Sequence, residues 1–270
     1  MNPIVFAVLV VSGIGLVLGI GLTVASVLLS VPASEKTVKL RESLPGANCG
    51  ACGFSGCDGY AEALSNGEAA PNLCAPGGAA TAAALAEICG VEAAFEKREA
   101  FVHCGGDCER CKTKLNYKGL ESCAAAAMLF GGPGGCNFGC VGFGDCVKVC
   151  EYDALNVVDG LARVNPLLCT GCGRCAAVCP KQIIEILPAE RGAAVRCSNT
   201  DKGAAANKVC AVSCIGCRMC EKKCPAGAIR VEGNLARVDL SKCTGCGICT
   251  SVCPRGCIEH TDLGAAVQTA

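Results

Sequence analysis

The sequence predicts a string of small α+β modules behind one transmembrane helix. Three observations carry this: an uncharged apolar stretch opens the chain, 28 of the 270 residues are cysteine, and one cysteine pattern occurs twice. With no tryptophan, three tyrosines and seven phenylalanines, the body outside the membrane lacks the side chains for a large aromatic core. Centres that cross-link several cysteines then have to stabilise its modules.

Residues 1–32 form the expected anchor. Positions 4–31 contain no charge and, as a helix, reach about 40 Å, more than the roughly 30 Å hydrocarbon core. A cleaved leader fits less well, because no Lys or Arg precedes the apolar run and the run is too long. Lys36, Lys39 and Arg41 follow at once, which by the positive-inside rule places a single-pass chain in the cytoplasmic (inner) membrane with its C-terminal body in the cytoplasm. Gly15 and Gly19, with Gly13 and Gly21, offer a groove to a neighbouring membrane helix.

Residues 33–92 form a first cysteine domain. Cys49, Cys52 and Cys57 sit on a glycine-rich loop, residues 58–64 read as a helix, and Cys74 follows. Four thiolates in so short a segment suit one [4Fe–4S] cubane, with zinc as the rival. Residues 78–100 read as an alanine-rich helix packed on that loop, with Cys89 as a structural thiol. Residues 93–135 then form a cysteine-containing connector.

Residues 120–187 and 194–261 are a duplication at a constant offset of 74 residues. Cys123, Cys136, Cys140, Cys146, Cys150, Cys169, Cys172, Cys175 and Cys179 recur as Cys197, Cys210, Cys214, Cys220, Cys224, Cys243, Cys246, Cys249 and Cys253. The runs Cys169-x2-Cys172-x2-Cys175-x3-Cys179-Pro180, Cys214-x2-Cys217-x2-Cys220-x3-Cys224-Pro225 and Cys243-x2-Cys246-x2-Cys249-x3-Cys253-Pro254 have the bacterial cubane spacing. In it the fourth cysteine ligates the neighbouring cluster. Residues 155–164 and 229–238 read as hairpins turning at Asp159-Gly160 and Gly233-Asn234. The expectation is two tandem 2[4Fe–4S] ferredoxin modules, 136–188 and 189–262, then a tail at 263–270.

The swap gives four ligand sets. Cys169, Cys172, Cys175 and Cys150 form one; Cys214, Cys217, Cys220 and Cys253 another; Cys243, Cys246, Cys249 and Cys224 a third. In the fourth, Phe143 stands where the repeat has Cys217, so Cys136 joins Cys140, Cys146 and Cys179. Glu151 also replaces the proline expected after Cys150. With the Cys49–Cys74 set, these make five clusters. Four of Cys104, Cys108, Cys123, Cys197 and Cys210 are candidates for a sixth between the repeats, and spacing does not choose among them. Cys89, Cys111 and Cys257 are poorer candidates, lacking counterparts in the duplication. His103 and His260, the only histidines, read as surface or packing residues.

No phosphate-binding glycine loop and no nucleophile–base constellation stands apart from these cysteines. The pattern therefore implies electron transfer without bond chemistry or nucleotide binding on this chain. Ten Lys/Arg against five Asp/Glu over residues 195–261, including Arg218, Lys222, Lys223, Arg230, Lys242 and Arg255, suit an acidic small carrier.

In its anchor, in the loop from Asn48 to Cys57 with Cys74, and in its ferredoxin repeats, the chain resembles the RnfB family of the Rnf complex. That complex is a membrane-bound ferredoxin:NAD oxidoreductase that couples electron flow to Na⁺ or H⁺ translocation. The resemblance implies that the chain takes electrons from soluble reduced ferredoxin and passes them to membrane and flavin-bearing partner subunits, with flavin and NAD sites on those partners and no nucleic acid involved. An electron-transfer subunit of a hydrogenase or formate-linked membrane oxidoreductase is the alternative, as is a tethered cluster carrier without an ion pump.

Overall fold

A computed structural model describes residues 3–28, 34–190 and 192–261. The end of the expected span, positions 29–31, and the tail at 263–270 lie outside the described residues. Helix α1 (Pro3–Leu28) is apolar throughout, and none of its described residues is buried. An all-round apolar surface left open along such a length suits a bilayer rather than a protein core.

Helix α2 (Glu35–Glu42) begins at Ser34, whose hydroxyl accepts the Thr37 N–H at 3.1 Å. Leu40 and Leu44 then drop into a small core with Tyr60, Ala61, Leu64 and Leu85 from α3 (Cys57–Ser65) and α4 (Gly78–Cys89). Arg41 ties α2 to α3 through Asp58 at 2.6 Å. The helix expected over 78–100 stops at Cys89, because Gly90 turns left-handed at φ +70° and its N–H closes onto the carbonyls of Ala86 and Glu87. Cys89 ends α4, half-buried against this core.

Residues 98–102, within the segment read as connector, form strand β1 (Arg98–Val102). The chain then enters a long irregular stretch holding α5 (Cys123–Ala127), followed by α6 (Asp145–Lys148), the hairpin β2 (Leu155–Val158) and β3 (Leu161–Val164), α7 (Arg174–Val178) and β4 (Ile184–Pro188). β1 pairs antiparallel with β4, Arg98 opposite Pro188 and Val102 opposite Ile184. The first and last strands of the module thus form one ribbon, the central hairpin a second, and β1 packs on β3.

The second module repeats the plan with β5 (Gly192–Val195), α8 (Gly203–Val209), α9 (Met219–Lys223), the hairpin β6 (Ile229–Glu232) and β7 (Leu235–Val238), α10 (Ile248–Ser251) and β8 (Ile258–Thr261). β5 pairs with β8, and β6 with β7. Both hairpins turn where the sequence marks them. Asp159 and Gly160 have φ +49° and +72°, Gly233 and Asn234 +55° and +65°, the two successive left-handed residues of a type I′ turn. A Cβ on Gly142 would stand 2.5 Å from the Gly160 carbonyl oxygen, so the cysteine loop can lie on its hairpin only as glycine there.

Apolar side chains of each module pack around its cysteines. Leu155, Leu161, Ile183 and Ile184 do so in the first, Ile229, Val231, Leu235 and Ile258 in the second. Phe101, Leu187 and Ala194 join across the junction. His103 sits there too, with Nδ1 2.8 Å from the Val195 carbonyl and Nε2 2.9 Å from a Glu185 carboxylate oxygen. Its own carbonyl accepts the Ser198 hydroxyl at 2.9 Å. This packing residue holds the two modules together.

Candidate metal centres

Each cysteine loop curls tightly and launches a helical turn from a left-handed residue: Gly144 before α6, Gly173 before α7, Gly247 before α10 and Arg218 before α9. Such a curl aims backbone N–H groups inward, toward the atoms that the thiols surround. The result is a series of cysteine-lined cavities.

Cys49, Cys52, Cys57 and Cys74 line one of about 300 Å³, shaped by Leu44, Pro45, Tyr60 and Pro76. Asn48 holds the loop, its side-chain oxygen accepting the Cys57 N–H at 2.8 Å. Cys150, Cys169, Cys172 and Cys175 line a second of about 290 Å³, where Cys169 Sγ accepts the Ala100 N–H from β1 at 3.3 Å. Glu151, in the place of the expected proline, pairs with Arg174 beside this cavity. Burial raises the Tyr152 phenol above its usual range, and Cys172 and Cys49 add to it.

Cys214, Cys217, Cys220 and Cys253 line a third cavity of about 320 Å³. Cys257, a poorer candidate by sequence, lines it too. In the remaining expected set, Cys243 and Cys249 pack with Cys224 in the second module's core. Cys249, raised by burial, feels Cys243 and Cys246 as neighbours, and Cys224 Sγ accepts the Ala228 N–H at 3.3 Å.

The exceptional set differs from its expected grouping. Cys140, Cys146 and Cys179 line a cavity of about 350 Å³ whose fourth cysteine is Cys123, at the start of α5. Cys136 lies elsewhere. Phe143, in the place of Cys217, turns onto Tyr117 with ring centroids 5.5 Å apart, and the segment carrying Tyr117 also delivers Cys123. The gapless register pairs Cys123 with Cys197, but the fold pairs Cys197 with Cys104. Cys104 follows β1 and takes the Cys140 N–H on its sulfur at 3.4 Å; Cys197 follows β5 and takes the Cys214 N–H at 3.2 Å. The first module carries extra chain between Cys104 and Cys123 that the second lacks.

A further cavity of about 400 Å³ lies between the modules, lined by Cys104, Cys111, Cys136, Cys197 and Cys210. Of the five candidates expected there, Cys108 is exposed instead, its N–H bonded to the Asp159 carbonyl at the β2–β3 turn, and Cys123 serves the cavity just described. Cys111 and Cys136 take their places. Cys111 gives no sequence signal of this, because its partner strand contact, an isolated bridge to Cys210, exists only once the modules meet.

Thiols alone, without carboxylates or imidazoles, make these donor sets soft and suited to iron–sulfur clusters or zinc. Among the described residues no three His, Cys, Asp or Glu side chains converge on a point that one metal ion could occupy. Four thiols spread around a cavity instead fit a cubane, whose corners take separate thiolates.

Comparison with known proteins agrees. A family model described as "Putative Fe-S cluster" matches residues 44–76, a "4Fe-4S binding domain" 162–185 and a "4Fe-4S dicluster domain" 213–257. The chain is 42% identical over 244 residues, 90% of its length and 73% of the relative, to the B component of the Na(+)-translocating ferredoxin:NAD(+) oxidoreductase complex of Acetobacterium woodii. It is 40% identical to the B component of the ion-translocating oxidoreductase complex of Methanosarcina acetivorans, covering 89% of this chain and 92% of the relative. The B component of the proton-translocating ferredoxin:NAD(+) oxidoreductase complex of Clostridium ljungdahlii is 40% identical, with 89% and 86% covered. The chain, an iron–sulfur electron-transfer protein, belongs to the RnfB family of ion-translocating oxidoreductase complexes.

Proposed function

We propose that this protein accepts electrons from reduced ferredoxin at its second ferredoxin module and relays them, module by module, to the Cys49–Cys74 domain and so to membrane partners. Five cubanes are held by Cys49/Cys52/Cys57/Cys74, Cys150/Cys169/Cys172/Cys175, Cys123/Cys140/Cys146/Cys179, Cys214/Cys217/Cys220/Cys253 and Cys224/Cys243/Cys246/Cys249. When bound, each takes up and gives back one electron. The exposed, apolar α1 supports a single membrane span, and Lys36, Lys39 and Arg41 at its C-terminal side support a cytoplasmic body. Relatives are named for Na⁺ or for protons, so the family leaves the coupled ion open.

The observation that carries the direction is at α9. Cys217 is an exposed cysteine, flanked by exposed Arg218, Met219, Lys222 and Lys223. At that point a cluster edge meets solvent inside a basic collar. The opposite end of the series is the Cys49 loop, close in sequence to the anchor. Charges of this kind act on the encounter rate and are screened over about 10 Å at 0.1 M salt.

The triple variant Arg218→Glu/Lys222→Glu/Lys223→Glu is expected to slow reduction by ferredoxin at low salt and flatten its salt dependence. Reduction by a small artificial donor should stay as before. Unchanged ferredoxin kinetics with full iron content would move the dock to another face.

A further inference from the structure

We propose that Lys181 and Arg255 set the reduction potentials of the clusters held by Cys123/Cys140/Cys146/Cys179 and Cys214/Cys217/Cys220/Cys253, keeping each above the other cluster of its own module. The inference rests on the five-cluster reading above and adds to it the residues that order the clusters in energy.

The two residues are repeat mates. Cys179-Pro180-Lys181 and Cys253-Pro254-Arg255 stand 74 residues apart, and both put a cation two positions after the fourth cysteine of a run. Each half-buried cation lines the cavity of the cluster that this fourth cysteine serves. Each also reaches back to a backbone carbonyl ahead of its module's first cluster loop. Lys181 Nζ donates to the Asn137 carbonyl at 2.6 Å, and Arg255 Nη2 to the Cys210 carbonyl at 3.1 Å. The two copies share the charge and its anchoring although the side chains differ.

The other two runs have no cation there. Tyr152 follows Cys150 at the same distance, and Ala226 follows Cys224. Tyr152 lines the cavity of Cys150, Cys169, Cys172 and Cys175, whose Arg174 is paired with Glu151. Each module therefore has one cluster with a cation at this position and one without.

The remaining charges on the two cationic cavities are offset. Asp145 accepts the Ser122 hydroxyl at 2.8 Å and faces Lys148 at 3.8 Å, while Arg218 faces Glu221 at 3.7 Å. Among the described residues neither Lys181 nor Arg255 forms an ion pair. One atom adds to this. The Arg255 Nε–H is buried and meets no acceptor in the protein. Such a donor is costly to leave unmet, and the sulfurs of a cluster in that cavity accept hydrogen bonds. Each electron that a cluster takes up adds a negative charge. An unpaired cation in the wall favours that reduced form, and it acts strongly where water is scarce.

The test uses the full chain reconstituted anaerobically with ferrous iron and sulfide, read by iron per chain and by EPR during a potentiometric titration. Lys181→Gln and Arg255→Gln should each keep the wild-type iron and lower the midpoint of one cluster. The expected shift is about tenfold in the equilibrium constant, about 59 mV for a one-electron couple. Lys181→Arg and Arg255→Lys, which keep the charge, should recover most of it. Ala226→Lys, which touches neither residue, should raise the midpoint of the Cys224/Cys243/Cys246/Cys249 cluster. Unmoved midpoints at full iron in both Gln variants would overturn the proposal. So would Arg255→Lys shifting as far as Arg255→Gln, or no rise in Ala226→Lys. A wild type without cubane signals would instead overturn the five-cluster reading itself.

Discussion

The sulfurs of Cys253 and Cys257 lie 3.6 Å apart in the wall of one cavity. Thiolates on different corners of a cubane point to separate irons, so two sulfurs this close serve one corner between them. The run that ends in Cys253-Pro254 assigns that corner to Cys253. Cys257→Ala is expected to keep all its iron. Cys253→Ala should retain the cluster in altered form, visible as shifted EPR g-values, because Cys257 can reach the vacated corner. The double variant should lose about four irons, and equal iron in all three proteins would refute the shared corner.

A second prediction separates Cys123 from Cys136. If both served the Cys140/Cys146/Cys179 cavity, losing either or both would remove one cluster. The structure places them in different cavities. Cys123→Ala and Cys136→Ala should each cost about four irons and the double variant about eight. A double variant that loses only four would return both to one site.

Acid and alkali should act oppositely on loading and on the empty fold. Burial pushes the thiols of Cys104, Cys146 and Cys175 up to about 12 each in the metal-free chain. A thiol must give up its proton to bind iron, so reconstitution should weaken as pH falls and release protons as it proceeds. In the unloaded chain the raised values favour the neutral thiol. That contribution is complete below about pH 9 and lost as pH climbs through about 12. Denaturant midpoints of unloaded and loaded chain, compared from pH 7 to 11, check this: only the unloaded chain should soften at the alkaline end.

Arg218 carries a prediction about strain. It stands left-handed at φ +59°, where the three equivalent loop positions are glycine. An L-residue there costs about 1–2 kcal/mol, while glycine costs only about 0.5–1 kcal/mol in unfolded-chain entropy. Arg218→Gly should therefore keep its unfolding free energy or raise it by up to about 1 kcal/mol, yet be reduced more slowly by ferredoxin at low salt. A large stability loss would mean that the arginine is structural, through its pairing with Glu221, rather than part of the dock.

Much of this protein is local, and the sequence alone determines local things. The cubane runs dictate their loops because three thiols, two spacers apart, can close only one kind of curl. Asp159-Gly160 and Gly233-Asn234 dictate hairpins because few residues accept two successive left-handed conformations. Residues 4–31 declare an apolar helix by composition. What spacing could not decide is where a cysteine outside a run goes. Cys123 reaches the Cys140 loop only because the added chain after Cys104 folds back with Tyr117 onto Phe143. Cys111 and Cys136 meet Cys197 and Cys210 only because two modules dock through His103, Val195 and Ser198. Residues 98–102 likewise become strand only when β4, far along the chain, arrives to pair with them. Those contacts depend on long-range packing, whose energy no short window of sequence contains: the sequence marked Cys104, Cys197 and Cys210 for the junction, and only the tertiary structure decided that Cys111 and Cys136 join them while Cys108 and Cys123 do not.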